Sequence, residues 1–238
     1  MAALEPLPPL QFRSMRVEDL EPIKALHEEW FPVRYSAAFY DAAVRERMVG
    51  TREPLHTIVA EDARTLEIVG LVTAQLTDAA TCGDELFEPA RDFRAEECSR
   101  VMYVLTLGSA TRYRRRGIAK ELLRRCVLRA EAEAGCGAVY LHVITYNDAA
   151  IEFYERNDFS RLREIADYYR IDGASHACYV YALFLSRARA GDVRLDDDDG
   201  RGDVASYLAS ALARAALLVP AAWRTCIRPR RGGGAGRA

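Results

Sequence analysis

The clearest capacity for chemistry in this 238-residue chain lies in one run, Arg114-Arg115-Arg116-Gly117-Ile118-Ala119. A glycine at the entrance of a helix lets backbone N–H groups approach an anion closely, and the helix dipole adds partial positive charge at that end. With three arginines beside it, the run suits a phosphate or pyrophosphate; taken alone, it equally describes a solvated turn. Two further groups, Tyr103 and His142, stand inside apolar runs, Val101–Leu107 and Ala138–Ile144. Each by itself reads as core packing. The two could face one cleft where their strands splay apart.

The elements that must position these groups follow from hydrophobic periodicity. Leu10 to Met15 is predicted to be a strand, and Val17, Leu20, Ile23, Ala25, Leu26 and Trp30 recur at helical spacing. Phe31-Pro32 stops that helix, because a residue before proline is pushed out of the α region. Ser36 caps a second helix expected to run through Met48. His56–Glu61 and Ile68–Leu76 form a hairpin, followed by an acidic surface insert from Asp78 to Glu97. Val101–Leu107 is apolar on both faces and therefore central. Ile118 to Ala134 is an amphipathic helix, Ala138–Ile144 a second buried strand, and Asn147 opens a helix through Arg156, a place where asparagine also serves as a plain cap. Two last strands are expected near Arg161–Ile165 and His176–Leu185, joined by an Asp172-Gly173 turn. A buried strand, an arginine-rich glycine turn and a long helix, in that order, form the setting in which pyrophosphate cradles occur.

Composition limits the possible classes. Half of the residues are hydrophobic, enough for the core of one domain, so disorder is not the default state. The net charge of -2 is unevenly spread: residues 201–238 hold seven Arg and one Asp, a charge of +6, which leaves -8 on the first 200. That distribution disfavours a uniformly basic nucleic-acid binder, and no nucleic acid is expected as a partner. Cys82, Cys98, Cys126, Cys136, Cys178 and Cys226 show no C-x-x-C pair, so they read as free thiols in a reducing compartment, with no metal site expected. The opening MAALEPLPPL lacks the charge and apolar run of a signal peptide, which points to the cytosolic side. Val204 to Trp223 is long enough to span a bilayer, yet Arg214 and Pro220 disfavour it. On a helix, Val204, Leu208, Leu212, Ala215, Val219 and Trp223 share one face, which suits either a membrane interface or packing against the rest of the chain.

On these residues the chain resembles the GCN5-related N-acetyltransferase (GNAT) superfamily, whose acetyl-CoA pyrophosphate loop reads Q/R-x-x-G-x-G/A; Arg114 through Ala119 match it. The stretches EEWFPVRY, VMYVLTLG, RRRGIAKELL, YLHVITYN and AIEFYERNDF resemble the NatF-type, membrane-associated protein N-terminal acetyltransferases, over Leu10 to Leu185. The resemblance implies an α/β (α+β) GNAT fold: a mixed, mostly antiparallel central sheet, splayed between its two central strands and flanked by helices. It is expected to occupy residues 10–190, after a disordered 1–9. An acidic, Gly-containing linker (191–203), an amphipathic membrane-associating segment (204–227) and a basic Gly/Arg tail (228–238) complete the expected organisation.

The resemblance also assigns roles. Tyr103 and His142 correspond to the family's general-base pair. Arg114, Arg115, Arg116, Gly117, Ile118 and Ala119 would hold the pyrophosphate of acetyl-CoA. The strand at Leu105, Thr106 and Leu107 would offer backbone groups to the pantetheine arm, while Asn147 and Tyr154 would touch the cofactor, Tyr154 near the sulfur. Phe31, Pro32, Val33 and Tyr35 suit a first-residue methionine, and Tyr168 and Tyr169, in the loop between the last strands, would close over the peptide. Here only two tyrosines follow Asp167, where the family shows a longer aromatic run.

The implied reaction moves acetyl from acetyl-CoA to the free α-amine of protein N-termini that retain the initiator methionine (Met-Lys, Met-Val, Met-Ala and Met-Met types). Transmembrane proteins with cytosolic N-termini are included, and the enzyme would sit peripherally on the cytosolic face of a membrane, the Golgi by resemblance. An α-amine with a pKa of about 7.7 to 8.0 needs little help to lose its proton. The alternatives are a GNAT enzyme acting on lysine, as in histones, or on a small amine, and a non-catalytic membrane-bound acyl-CoA-binding protein.

Overall fold

The strand Arg100–Ser109 is covered on both sides, with Val101, Met102 and Thr106 at most 2% exposed, so the molecule is arranged in layers about it. The computed structural model describes residues 8–48, 53–79, 99–185 and 227–229. Along the chain the elements are β1 (Leu10–Arg13), α1 (Leu20–Trp30), β2 (Val33–Tyr35), α2 (Ala37–Arg45), β3 (Leu55–Asp62), β4 (Ile68–Asp78), β5 (Arg100–Ser109), α3 (Ile118–Ala132), β6 (Cys136–Ile144), α4 (Asp148–Glu155), β7 (Ser160–Ile171), β8 (Ala174–Phe184) and β9 (Ile227–Pro229). Seven strands form one sheet in the order β1-β3-β4-β5-β6-β8-β7. Only β5 and β6 run parallel; the other neighbours are antiparallel, giving the expected mixed, mostly antiparallel sheet with flanking helices.

Each face takes its own helices. Ile118, Leu122, Leu123, Cys126 and Ala130 put one side of α3 against Met102, Val104, Val139 and Leu141. On the other face Ile23, Phe39, Ala42 and Ala43 of α1 and α2 pack on Leu55, Val59 and Leu71. Burying a side chain of this size contributes about 1.5 to 3 kcal/mol, so the two layers together hold the sheet rigid. At the far edge the largely buried Arg13 of β1 bridges Asp19 and Glu61, tying the chain ahead of α1 to β3.

Local chemistry sets the boundaries near the site. α1 stops at Trp30, and Phe31 is extended (φ -118, ψ 138), as a residue before proline must be. Ser36 Oγ accepts from the Phe39 N–H at 3.3 Å and starts α2. That helix ends at Arg45, short of the expected Met48, because Glu46 turns into the left-handed region at φ 51. β4 continues to Asp78, where the acidic insert was expected to begin. Residues 80–98 of that insert lie outside the described residues, as do 1–7, the linker 191–203 and nearly all of the amphipathic segment and basic tail. Of the tail, β9 is described, and it pairs antiparallel with β2 through Val33↔Pro229, Arg34↔Arg228 and Tyr35↔Ile227. Among the described residues no helix is long and apolar enough to cross a membrane.

The last two strands correct the sequence reading. β7 and β8 are a long hairpin turning at Asp172-Gly173, and Tyr168 and Tyr169 belong to β7 rather than to the connecting loop. Between Ile165↔Cys178 and Tyr169↔His176 four steps on β7 face two on β8. The surplus residues form a bulge, with Asp167 left-handed at φ 54, which re-aims the tyrosines.

Candidate active site

The notch that organises the site comes from a ladder that stops early. β5 and β6 pair from Arg100↔Cys136 only as far as Tyr103↔Tyr140, yet β5 continues to Ser109 and β6 to Ile144. Beyond that last rung the two strands diverge. Tyr103 is the final paired residue of β5, and His142 lies two residues past the final paired residue of β6, on the same sheet face as Tyr140.

The Tyr103 hydroxyl and His142 Nδ1 meet across the notch at 2.9 Å. The Tyr103 ring stacks on Tyr140 (centroids 4.8 Å apart, 24° between planes), which fixes its direction. Above them the β7 bulge lays Tyr168 on the imidazole (4.4 Å, 17°), with its hydroxyl 3.3 Å from the same Nδ1. Two phenols thus converge on one nitrogen, an arrangement able to pass a proton between hydroxyl and imidazole. Tyr169, half-buried, meets Tyr168 edge to face (4.8 Å, 81°). Burial pushes Tyr169 well above the usual phenol range, and it does the same to Tyr154, so both stay protonated at neutral pH. Four of the expected site residues, Tyr103, His142, Tyr168 and Tyr169, from three different strands, therefore meet at one place.

Of the expected cofactor positions, Leu105, Thr106 and Leu107 lie on β5 beyond its last rung with β6. The β4–β5 register passes from Thr73↔Thr106 to Ala74↔Val104, so Leu105 is the extra residue of a bulge, outside the pairing with β4. Thr106 is 2% exposed, while Leu105 and Leu107 alternate with it on partly open positions. Arg114, Arg115 and Arg116 form the turn into α3. Gly117 is the residue ahead of α3, left-handed at φ 85, with open space where a side chain would begin. No side chain caps that helix start, leaving N–H groups at Ile118 and Ala119 for an anion. Asn147, by contrast, is occupied: its Oδ1 accepts from the Ala150 N–H at 3.2 Å, the plain cap allowed by the sequence.

Phe31, Pro32, Val33 and Tyr35 carry the chain from α1 across to α2. Phe31 meets Tyr35 edge to face (5.9 Å, 87°), and Tyr35 stacks on Phe39 (4.6 Å, 30°). At the centre of these rings is His27, 1% exposed, 5.0 Å from Tyr35 and 5.4 Å from Phe31, with Nδ1 at 3.3 Å from the Tyr40 hydroxyl. Burial lowers His27 to about 4, so it is neutral and packs as an aromatic. Sequence reading missed His27 and Tyr140. Tyr140 carries a usable signal, standing two residues before His142 and hence on its face; His27 sits at an ordinary core position of α1 and carries none.

Two other concavities, about 490 Å³ near Val127 and Phe159 and about 660 Å³ between α1 and the β3–β4 hairpin, collect carboxylates such as Glu131, Glu155, Asp158, Glu18 and Glu67. Neither contains the paired tyrosine and histidine found at the notch. Among the described residues no cluster of His, Cys, Asp or Glu fits a metal ion.

The model of the acetyltransferase (GNAT) family matches residues 20–159, which span α1, the notch, the glycine turn and α4. The chain belongs to the GNAT acetyltransferase family. As a GNAT protein it is 30% identical over 175 residues to N-alpha-acetyltransferase 60 of Xenopus tropicalis, covering 71% of this chain and 67% of that one. It is 28% identical over 188 residues to histone acetyltransferase MCC1 of Arabidopsis thaliana, covering 79% and 75%. The same architecture occurs in crystal structures of Arabidopsis thaliana NAA60: with acetyl-CoA (30% identity, TM-score 0.65, covering 75% of this chain and 99% of that one) and with a bisubstrate analogue (31%, TM-score 0.63, 74% and 98%).

Proposed function

We propose that this GNAT acetyltransferase is an N-alpha-acetyltransferase that moves acetyl from acetyl-CoA to the free α-amine of protein N-termini beginning with methionine. The observation that carries the reading is the Tyr103–His142 contact at 2.9 Å, at the point where β5 and β6 part. The relatives named for N-alpha-acetylation and the solved relative bound to acetyl-CoA support the same chemistry.

In this reading the residues from Arg114 to Ala119 hold the pyrophosphate through backbone N–H groups and guanidinium charge. Leu105 and Leu107 pair their backbone with the amides of the extended pantetheine arm. The substrate amine arrives on the side of Phe31, Pro32, Val33 and Tyr35, with Tyr168 and Tyr169 over its backbone. Tyr103 and His142 take one proton from the ammonium, directly or through a water. The amine nitrogen then bonds to the thioester carbonyl carbon, the C–S bond breaks as the oxyanion collapses, and the nitrogen gives up its second proton as the amide forms; the thiolate takes a proton for which Tyr154 is the candidate donor, and the proton released by the nitrogen restores that donor. No covalent intermediate on the enzyme is required, so holding the two reactants together supplies much of the acceleration.

The basic, amphipathic segment at 204–227 supports attachment to the cytosolic face of a membrane, the Golgi by resemblance, with transmembrane proteins among the clients. A second reading, acetylation of lysine, has the histone acetyltransferase relative in its favour. Purified protein incubated with acetyl-CoA and Met-Lys, Met-Val, Met-Ala and Ser-initiated peptides separates these readings. Acetylation at the α-amine of the Met-initiated peptides is expected; activity on the Ser-initiated peptide alone would sink the substrate assignment.

A further inference from the structure

We propose that Trp30 is a positioning residue that hangs the first-residue loop on the cofactor strand, so that peptide selection depends on its contact with Gly108. The inference rests on the reading of Phe31 to Tyr35 as the peptide-contacting loop. Trp30 is the last residue of α1, directly before that loop, and Gly108 lies in β5 directly after Leu107. The six-membered ring of the indole occupies the space beside the glycine: a Cβ at position 108 would stand 2.9 Å from Cδ2 of Trp30, and closer still to Cε3 and Cζ3. No other residue type leaves room for the ring there. Three residues after Gly108, the Thr111 hydroxyl donates at 2.6 Å to Oε1 of Glu29, one residue before Trp30, giving α1 a second tie to the connection that leads into Arg114.

These two contacts join the halves of the site. The side containing 105–119 carries the cofactor positions; the side containing 29–35 carries the peptide positions. Trp30 also meets Phe31 edge to face (6.4 Å, 76°) and His27 (6.4 Å, 60°), so a shift of the indole passes directly into the ring cluster beneath the loop. Interiors packed at this density do not absorb a displaced indole silently. A misplacement of about 1 Å at a reacting centre can cost on the order of 10²-fold in rate. Without the Trp30–Gly108 contact the loop would keep its own stacking, the β2–β9 pairing and the Thr111–Glu29 hydrogen bond, and would lose its direct packing on the cofactor strand.

A double-mutant cycle on the full chain tests this. Gly108→Ala forces the indole aside; the KM for a Met-initiated peptide should rise about tenfold, the preference for Met-initiated over Ser-initiated peptide should fall, and the acetyl-CoA Kd by calorimetry should stay within about threefold. Trp30→Leu removes the ring atoms that the new methyl would meet, so adding Gly108→Ala to it should raise the peptide KM no further. Thr111→Val, an exposed change that leaves the core alone, should raise peptide KM by about threefold and covers the case in which either core variant does not fold. Independent, multiplying effects of Gly108→Ala and Trp30→Leu would overturn the inference, as would a rise in acetyl-CoA Kd with peptide KM unchanged. If neither core variant folds, an unchanged peptide KM in Thr111→Val overturns it. Turnover of no peptide by the wild-type protein removes the functional reading and this inference together, whereas turnover with a multiplicative cycle removes the inference alone.

Discussion

The Tyr103 hydroxyl lies 2.9 Å from His142 Nδ1, across 39 positions of sequence, where two parallel strands make their last rung at Tyr103↔Tyr140, two residues short of His142. Were the ladder to continue, β5 and β6 would exchange hydrogen bonds where the proposed function brings the substrate amine and thioester together. The notch and the proton-handling pair are thus consequences of a single feature.

Removing the pair tests its role in turnover. Tyr103→Phe and His142→Gln are each expected to lower kcat by about 10²-fold, within the usual range for a general base. The double variant should lose far less than the product of the two, because the groups act as one unit. Calorimetric Kd for acetyl-CoA should change little in either; wild-type kcat in the double variant would remove both residues from the mechanism.

Gly117 tests the pyrophosphate cradle. Its φ of 85 strains any residue with a Cβ by about 1 to 2 kcal/mol, although the space around it is open. Gly117→Ala should therefore raise the acetyl-CoA KM about tenfold and shrink the rise in melting temperature that acetyl-CoA produces. An unchanged KM would mean that this turn does not hold the cofactor.

His27 gives a pH signature. Burial lowers its folded-state value to about 4 from an ordinary 6.5, so between those values the unfolded chain binds more protons than the folded one. Stability should accordingly fall as pH drops from about 6.5 to 4, by on the order of 3 kcal/mol from this residue. His27→Phe should flatten that part of a urea-denaturation series. The same slope in wild type and variant would place the acid sensitivity elsewhere.

Much of this architecture is legible in the chain. Val101–Leu107 reads as central because it is apolar on both faces, and the run Arg114 to Ala119 reads as the glycine turn that opens α3. The β7 bulge is not legible: its left-handed residue is Asp167, where a glycine would have signalled a departure from regular strand, so Tyr168 and Tyr169 read as loop. Nor does sequence disclose that Trp30 rests on Gly108. That contact joins residues 78 positions apart, and only the packing of α1 over β5 brings them together. The end of α2 was misjudged for a related reason, since a glutamate at position 46 gives no warning of a left-handed turn.

The central claim concerns which amine is acetylated. Two Met-Lys peptides, one with a free α-amine and one N-formylated so that only the lysine ε-amine remains, incubated with protein and acetyl-CoA and read by mass spectrometry, decide it most directly. The expected result is one acetyl group on the α-amine of the first peptide and none on the second. Acetylation of the formylated peptide on lysine, with the free α-amine of the first left untouched, would contradict the account.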